Sequence, residues 1–148
     1  MLVPVSSGGV AGGVAAAVKH LRPNVRVIGV QPERANAAYV SRQAGTPTAI
    51  DYWDSIADGL SARRPGERPF AHLQAYMDDI VLVSEADIGR AFVTLLERGK
   101  LMGEAAGVVA ASAFLAGKVD TSLKTLAALT GGNLTQDSAD KLRALAAS

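Results

Sequence analysis

Ser6-Ser7-Gly8-Gly9-Val10-Ala11-Gly12-Gly13 follows directly on the apolar run Leu2-Val3-Pro4-Val5 and leads into an alanine-rich stretch. Glycines in a strand-to-helix turn let backbone N–H groups come close to an anion, and the start of a helix adds the positive end of its dipole. Chemically this is a cradle for a phosphate group. The same residues fit a plain tight turn equally well, with Gly8 and Gly9 bending the chain and Gly12 and Gly13 letting the helix pack close to a sheet. A second polar glycine turn, Thr130-Gly131-Gly132-Asn133, follows the apolar run Lys124 to Leu129. If both turns lie on one sheet edge they make one site, where Ser6 to Val10 hold a phosphate and the Thr130 hydroxyl meets another part of the ligand.

Other reactive residue types have weaker surroundings. His20 and His72 are far apart in sequence and lack an evident acid partner, which argues against a triad or a metal centre and for surface histidines. Ser6, Ser7 and Ser84 lack the context of a nucleophile elbow. Ser7-x-Gly9-x-x-Gly12 with Glu33 after the next strand resembles a dinucleotide fingerprint, but serine stands at its first glycine. Tyr52 and Trp53 read as ligand-pocket or loop-anchoring aromatics, and Arg63-Arg64-Pro65-Gly66-Glu67-Arg68 as an anion site or a solvated loop, the second reading being the simpler for both.

The elements that must position these groups follow from hydrophobic periodicity. Leu2 to Val5 reads as a strand, Val10 to Leu21 as a helix ending at Arg22-Pro23-Asn24, and Val25 to Val30 as a buried strand, together a βαβ unit with a parallel sheet. Ligands in such sheets bind at the carboxyl ends of strands. Helical spacing predicts a helix from Glu33 to Gln43, an irregular stretch from Thr48 to Pro69, and a short helix from Phe70 to Met77. Asp79 to Val83 is a strand, and Ser84-Glu85-Ala86-Asp87 has capping-box spacing ahead of a helix through Arg98. A helix from Glu104 to Ala116, a strand from Lys124 to Leu129 and a helix from Gln136 to Ala147 complete the chain. The expected fold is α/β, an open, mostly parallel sheet with helices on both faces.

The chain has 148 residues, a length that suits one α/β domain. Lys+Arg 15 against Asp+Glu 14, scattered in position, leave no field to attract nucleic acid or an anionic membrane. The absence of cysteine excludes disulfides and thiolate chemistry and fits a reducing compartment, with the cytoplasm as the expected location. No signal-type segment or membrane-length apolar run is present in the sequence.

Six stretches then carry a resemblance. Val3-Pro4-Val5-Ser6-Ser7-Gly8-Gly9, Asn24-Val25-Arg26-Val27-Ile28-Gly29-Val30-Gln31-Pro32-Glu33, Ile56-Ala57-Asp58-Gly59, Asp78-Asp79-Ile80-Val81-Leu82-Val83-Ser84-Glu85, Leu96-Glu97-Arg98-Gly99-Lys100-Leu101-Met102-Gly103-Glu104-Ala105-Ala106-Gly107 and Leu129-Thr130-Gly131-Gly132-Asn133 occur in this order. Their order and spacing resemble the C-terminal part of the pyridoxal-phosphate-dependent threonine dehydratase and serine racemase family, of fold type II. The resemblance implies that Ser6, Ser7, Gly8, Gly9 and Val10 bind the phosphate of pyridoxal 5'-phosphate, although the family usually has more glycine here. It implies that Thr130 faces the pyridine nitrogen, where a hydroxyl favours a neutral ring and a carboxylate would hold it protonated. Gly59 and Glu104 match positions near the cofactor, and for Glu104 an acid stabilised by a helix N-terminus is the alternative.

Some members of that family bind a divalent cation beside the second strand through an acid before the proline, a backbone carbonyl and a further acid. Gln31 and Ala37 stand at the two acid positions, so the resemblance implies that no metal site remains, with Glu33 a solvent-facing first-turn acid. The family's cofactor-bonding lysine, with its serine and asparagine neighbours, belongs to an N-terminal part that this sequence does not contain. Lys19, Lys100, Lys118, Lys124 and Lys141 lie in no matching motif, and the chain alone is expected to be inactive. Three readings follow: a partial threonine/serine ammonia-lyase; one half of a split enzyme completed by a partner chain to give a 2-oxo acid and ammonia; and a stand-alone phosphate- or nucleotide-binding module or oligomerising scaffold. Surfaces made to face the missing part would expose apolar patches, so a homo-oligomer is expected.

Overall fold

Three short apolar segments pair side by side in parallel and set the frame, in a computed structural model that describes all 148 residues. They are β1 (Leu2–Pro4), β2 (Ile28–Pro32) and β3 (Asp79–Val83), in the order β1-β2-β3. Leu2 stands opposite Ile28, and Ile28 opposite Asp79. Parallel neighbours need crossovers, and helices supply them. α1 (Gly9–Leu21) joins β1 to β2, while α2 (Ala37–Ala44) and α3 (Glu67–Tyr76) lie between β2 and β3. After β3 come α4 (Glu85–Glu97), α5 (Ala105–Leu115) and α6 (Gln136–Ala146). The chain is therefore α/β with an open parallel sheet, and no helix is long and apolar enough to cross a membrane.

Alternation along the strands divides the core in two. Leu2, Val30 and Val83 turn to one side, where they meet Ile88 and Phe92 of α4, Val108 and Val109 of α5 and Leu142 of α6. Val3, Val5 and Ile80 turn to the other and meet Ala11 and Ala15 of α1 and Leu73 of α3. This is the period-two burial of strands covered on both faces. The small side chains on the inner face of α1 let its backbone lie close to the sheet.

Several boundaries differ from those expected from sequence. The expected strand Lys124 to Leu129 is reduced to a single parallel bridge between Ala127 and Leu2. The Leu2 N–H donates to the Leu126 carbonyl at 2.8 Å and the Ala128 N–H to the Leu2 carbonyl at 2.9 Å. The next rung would need an N–H from Pro4, which has none, and the Thr130 N–H goes instead to the Gly107 carbonyl of α5 at 3.3 Å. The second strand starts at Ile28 rather than Val25 and runs on through Pro32, because the Val27 N–H is taken by the Asp78 carboxylate at 2.6 Å. The helix expected from Glu33 to Gln43 is split: Glu33–Ala35 forms a single 3-10 turn, and α2 starts only after Asn36. The capping box at α4 is present as expected, with the Asp87 N–H donating to Ser84 Oγ at 3.1 Å and the Ser84 N–H to Asp87 Oδ2 at 3.0 Å.

Asp78 ties these pieces together. Its carboxylate accepts from the Val27 N–H and pairs with Lys19 at 2.7 Å, while Arg42 of α2 donates to the Met77 and Asp78 carbonyls. Partial burial disfavours its charged form, but the hydrogen bonds from Lys19 and Val27 outweigh this and hold the carboxyl below its usual range. Because the folded-state value is depressed, its stabilisation is present above the ordinary carboxylate range and is lost as pH falls below that range through the lower folded-state value. Asp78→Ala is expected to cost about 1–2 kcal/mol at neutral pH, measured by urea unfolding, and to flatten the loss of stability as pH falls below the ordinary carboxylate range.

Candidate functional site

The turn between β1 and α1 leaves a run of donors without partners. Gly8 sits at φ +99°, a conformation that favours glycine, and a Cβ there would meet Leu73 Cδ1 at 2.9 Å. Its carbonyl accepts from the Gly12 N–H at 2.8 Å, and the Ser7 carbonyl from the Gly66 N–H at 3.2 Å. By contrast, the N–H groups of Ser6, Ser7, Gly8, Gly9, Val10 and Ala11 donate to no backbone carbonyl. Those of Gly9 to Ala11 are the orphan donors that any helix start leaves, and no acid in the first turn of α1 answers them. Six successive N–H groups beside a helix N-terminus are the set of donors that an anion seat requires.

That seat forms one end of a cleft of about 420 Å³. All eight residues singled out from sequence line it: Ser6, Ser7, Gly8, Gly9, Val10, Gly59, Glu104 and Thr130. Pro4, Ala11, Leu60 and Ala106 line it too and were not expected. Leu60 and Ala106 directly follow residues singled out from sequence or lie two beyond them, so neighbourhood was the available signal. None of the five lysines lines the cleft: Lys19 pairs with Asp78, Lys141 with Asp137, and Lys100, Lys118 and Lys124 are exposed.

Thr130 is held by contacts that reach across the chain. Gly107, in the first turn of α5, lies so close to the Thr130 carbonyl that a Cβ would collide with it. Gly131 follows at φ +69°, and a Cβ there would collide with the Glu104 carboxylate. Glu104 stands at the N-terminus of α5 but does not cap its own helix, since its Oε2 accepts from the Asn133 N–H at 3.0 Å. The acid thus clamps the second glycine turn against α5, which the helix-dipole reading from sequence did not contain.

Gly59 arrives on a loop with its own anchors. The two carboxylate oxygens of Glu85 take the Ser55 hydroxyl and the Ile56 N–H, both at 2.7 Å, and the 3-10 turn Asp58–Leu60 follows. Gly59 then packs so that a Cβ would stand 3.1 Å from Ala106 Cβ. Tyr52 and Trp53 do not line the cleft. Arg34 lies over the Tyr52 ring and Arg63 over the Trp53 ring, each at 5.2 Å, and Arg34 and Tyr52 both bond Asp54, whose carboxyl they hold below its usual range. Arg63 and Arg64 donate to the Ile50 and Pro47 carbonyls. The arginine-rich stretch therefore closes its own loop. His20 and His72 are exposed, and no three His, Cys, Asp or Glu side chains converge.

Comparison with known proteins gives this geometry a context. A model of pyridoxal-phosphate dependent enzymes matches residues 1–131. The L-threonine ammonia-lyase of Geobacter sulfurreducens is 40% identical over 135 residues, which are 90% of this chain and 34% of that protein. The catabolic L-threonine dehydratase TdcB of Escherichia coli K12 is 37% identical over 137 residues, 90% of this chain and 42% of that protein. The processed form of threonine deaminase isoform 2 from Solanum lycopersicum superposes with a TM-score of 0.91 at 29% identity, over 99% of this chain and 44% of that one. The chain thus spans less than half the length of these relatives.

The seat itself is testable by its backbone. Gly8→Ala forces a positive φ on a side chain that has no room, so thermal unfolding is expected to show a loss of about 1–3 kcal/mol.

Proposed function

This chain belongs to the family of pyridoxal-phosphate dependent enzymes, and on that premise we propose that residues 1–148 form one α/β unit of a threonine/serine ammonia-lyase, the unit that seats the cofactor phosphate. The observation that carries this reading is the run of six unpartnered N–H groups from Ser6 to Ala11 at the N-terminus of α1, opening into the cleft that also holds Thr130. The donor set fits the group: backbone dipoles and the Ser6 and Ser7 hydroxyls for a phosphate, with open space where a Cβ of Gly9 would stand.

Bound here, pyridoxal 5'-phosphate supplies an electron sink for cleavage of bonds at the α-carbon of an amino acid. The residues of this chain orient it. The seat fixes the phosphate end through N–H donors that need no rearrangement. Thr130, which lines the same cleft, would offer its hydroxyl to the ring nitrogen, and a hydroxyl there would favour a neutral nitrogen where a carboxylate would hold it protonated. Glu104 keeps Thr130 in place through the Asn133 N–H. Gly59 and Leu60 form the wall beside Ala106.

The amine that bonds the cofactor covalently comes from outside these residues, from another segment or a partner chain, and the completed site converts serine or threonine to a 2-oxo acid and ammonia. The names of the relatives support that substrate class. The lack of cysteine fits the cytoplasm, and Val10, Leu21, Met102 and Leu126, all more than half exposed, favour self-association.

Titration with pyridoxal 5'-phosphate, followed by ¹H–¹⁵N shifts, is expected to move the amides of Ser6 to Ala11 saturably. Without added chains, no lysine is labelled on borohydride reduction and no 2-oxo acid forms from threonine. A single labelled lysine with product formation would overturn the division of labour. Gly9→Asp places a carboxylate in open space at the helix start, so the fold is expected to stay intact while cofactor binding weakens about tenfold or more. Light scattering at micromolar concentration is expected to show a homo-oligomer, and a strictly monomeric chain would refute self-association.

A further inference from the structure

Gln31, at the carboxyl end of β2, is fully buried, and its Nε2 is the one buried side-chain polar atom without a partner. The other end of its amide is committed. Oε1 accepts from the Tyr39 N–H at 3.0 Å, the third N–H of α2. Asn36, the residue preceding α2, makes no side-chain cap, so Gln31 caps this helix from the neighbouring strand. Turning the amide end for end would set two donors face to face, so the Tyr39 N–H fixes which way it points.

A buried N–H with no acceptor is costly, which is why such groups almost always hold a buried water when the protein offers nothing. The positive end of an amide also repels a cation. Beside this strand some members of the family hold a divalent cation between two acids and a carbonyl, and the residues here do not fit one. An N–H donor stands in place of the first acid, buried Ala37 in place of the second, Glu33 is exposed, and no three potential ligands converge.

We infer that the β2–α2 junction is built around a neutral acceptor, an ordered water on Gln31 Nε2, in place of a divalent cation, and that Gln31 alone sets this polarity. The stability of this chain is then independent of divalent cations. A carboxylate at position 31 would still cap Tyr39 with one oxygen but would bury a second, unanswered oxygen where Nε2 now lies, and a cation would stabilise its charged form against protonation.

Thermal unfolding of the 148-residue chain at pH 8 in EDTA, MgCl₂ or CaCl₂ tests this. The unsubstituted chain is expected to keep its Tm within about 1 °C across the three conditions, since a saturating ligand would move it by several degrees. Gln31→Glu is expected to melt lower in EDTA and to recover by about 5–10 °C in Mg²⁺ or Ca²⁺ at a hundredfold excess over its dissociation constant. If Gln31→Glu does not fold in EDTA, refolding on addition of Ca²⁺ gives the same readout. Ala37→Asp, which keeps the Gln31 N–H, is expected to remain indifferent to either cation. A cation-dependent rise in the unsubstituted chain or in Ala37→Asp would overturn the inference, and so would a Gln31→Glu variant that no cation rescues.

Discussion

Everything at the candidate site depends on the pairing of one short strand on both its sides. β1 bonds β2 through the N–H groups of alternate residues, and through Leu2 it bonds the segment around Ala127 on the other edge. Because both pairings are parallel, the carboxyl ends of β1 and of the Ala127 segment point the same way. The chain leaves them through glycine turns, and the two turns meet over one cleft. Pro4 sets how far this goes. Lacking an N–H, it ends the second ladder after one rung, which frees the Thr130 N–H to bond Gly107 and swings the second turn toward α5.

From there the site is shaped by close approach. The Thr130 carbonyl rests against Gly107, and the Glu104 carboxylate against Gly131, at separations that no Cβ would permit. Small residues at these two points let a helix N-terminus and a turn share space that side chains would otherwise fill, and Glu104 bonds the turn so that it cannot drift. Beside it, Glu85 does the same for the loop that carries Gly59. Two carboxylates, each at the start of a helix, thus act on backbone N–H groups of distant loops rather than on their own helices. The turn between β1 and α1, by contrast, leaves six N–H groups without a backbone acceptor.

α1 illustrates the cost of such a seat. Its inner face is made of Ala11, Gly12 and Ala15, while Val10 and Leu21 on its outer side are 68% and 73% exposed. The loop from Thr48 to Gly66 is held differently. It is fastened locally by arginines over aromatic rings and onto backbone carbonyls.

The sequence alone determined what rests on neighbours in the chain. The strand-turn-helix at Ser6 to Gly13, the capping box at Ser84, the strand Asp79–Val83 and the glycine turn after Leu129 were legible because the conformations are set by residue type within a few positions. So were the eight residues that line the cleft, through the order of short motifs along the chain. What the tertiary structure decided is which group satisfies which. The end of the Ala127 pairing was decided by Pro4, far back in sequence; the start of β2 by Asp78; the cap of α2 by Gln31 rather than Asn36; and the partner of Glu104 by Asn133. The physical reason is one of range. Backbone preference is a property of a residue and its neighbours, whereas a buried donor takes whichever acceptor packing brings to it, and packing is a property of the whole chain.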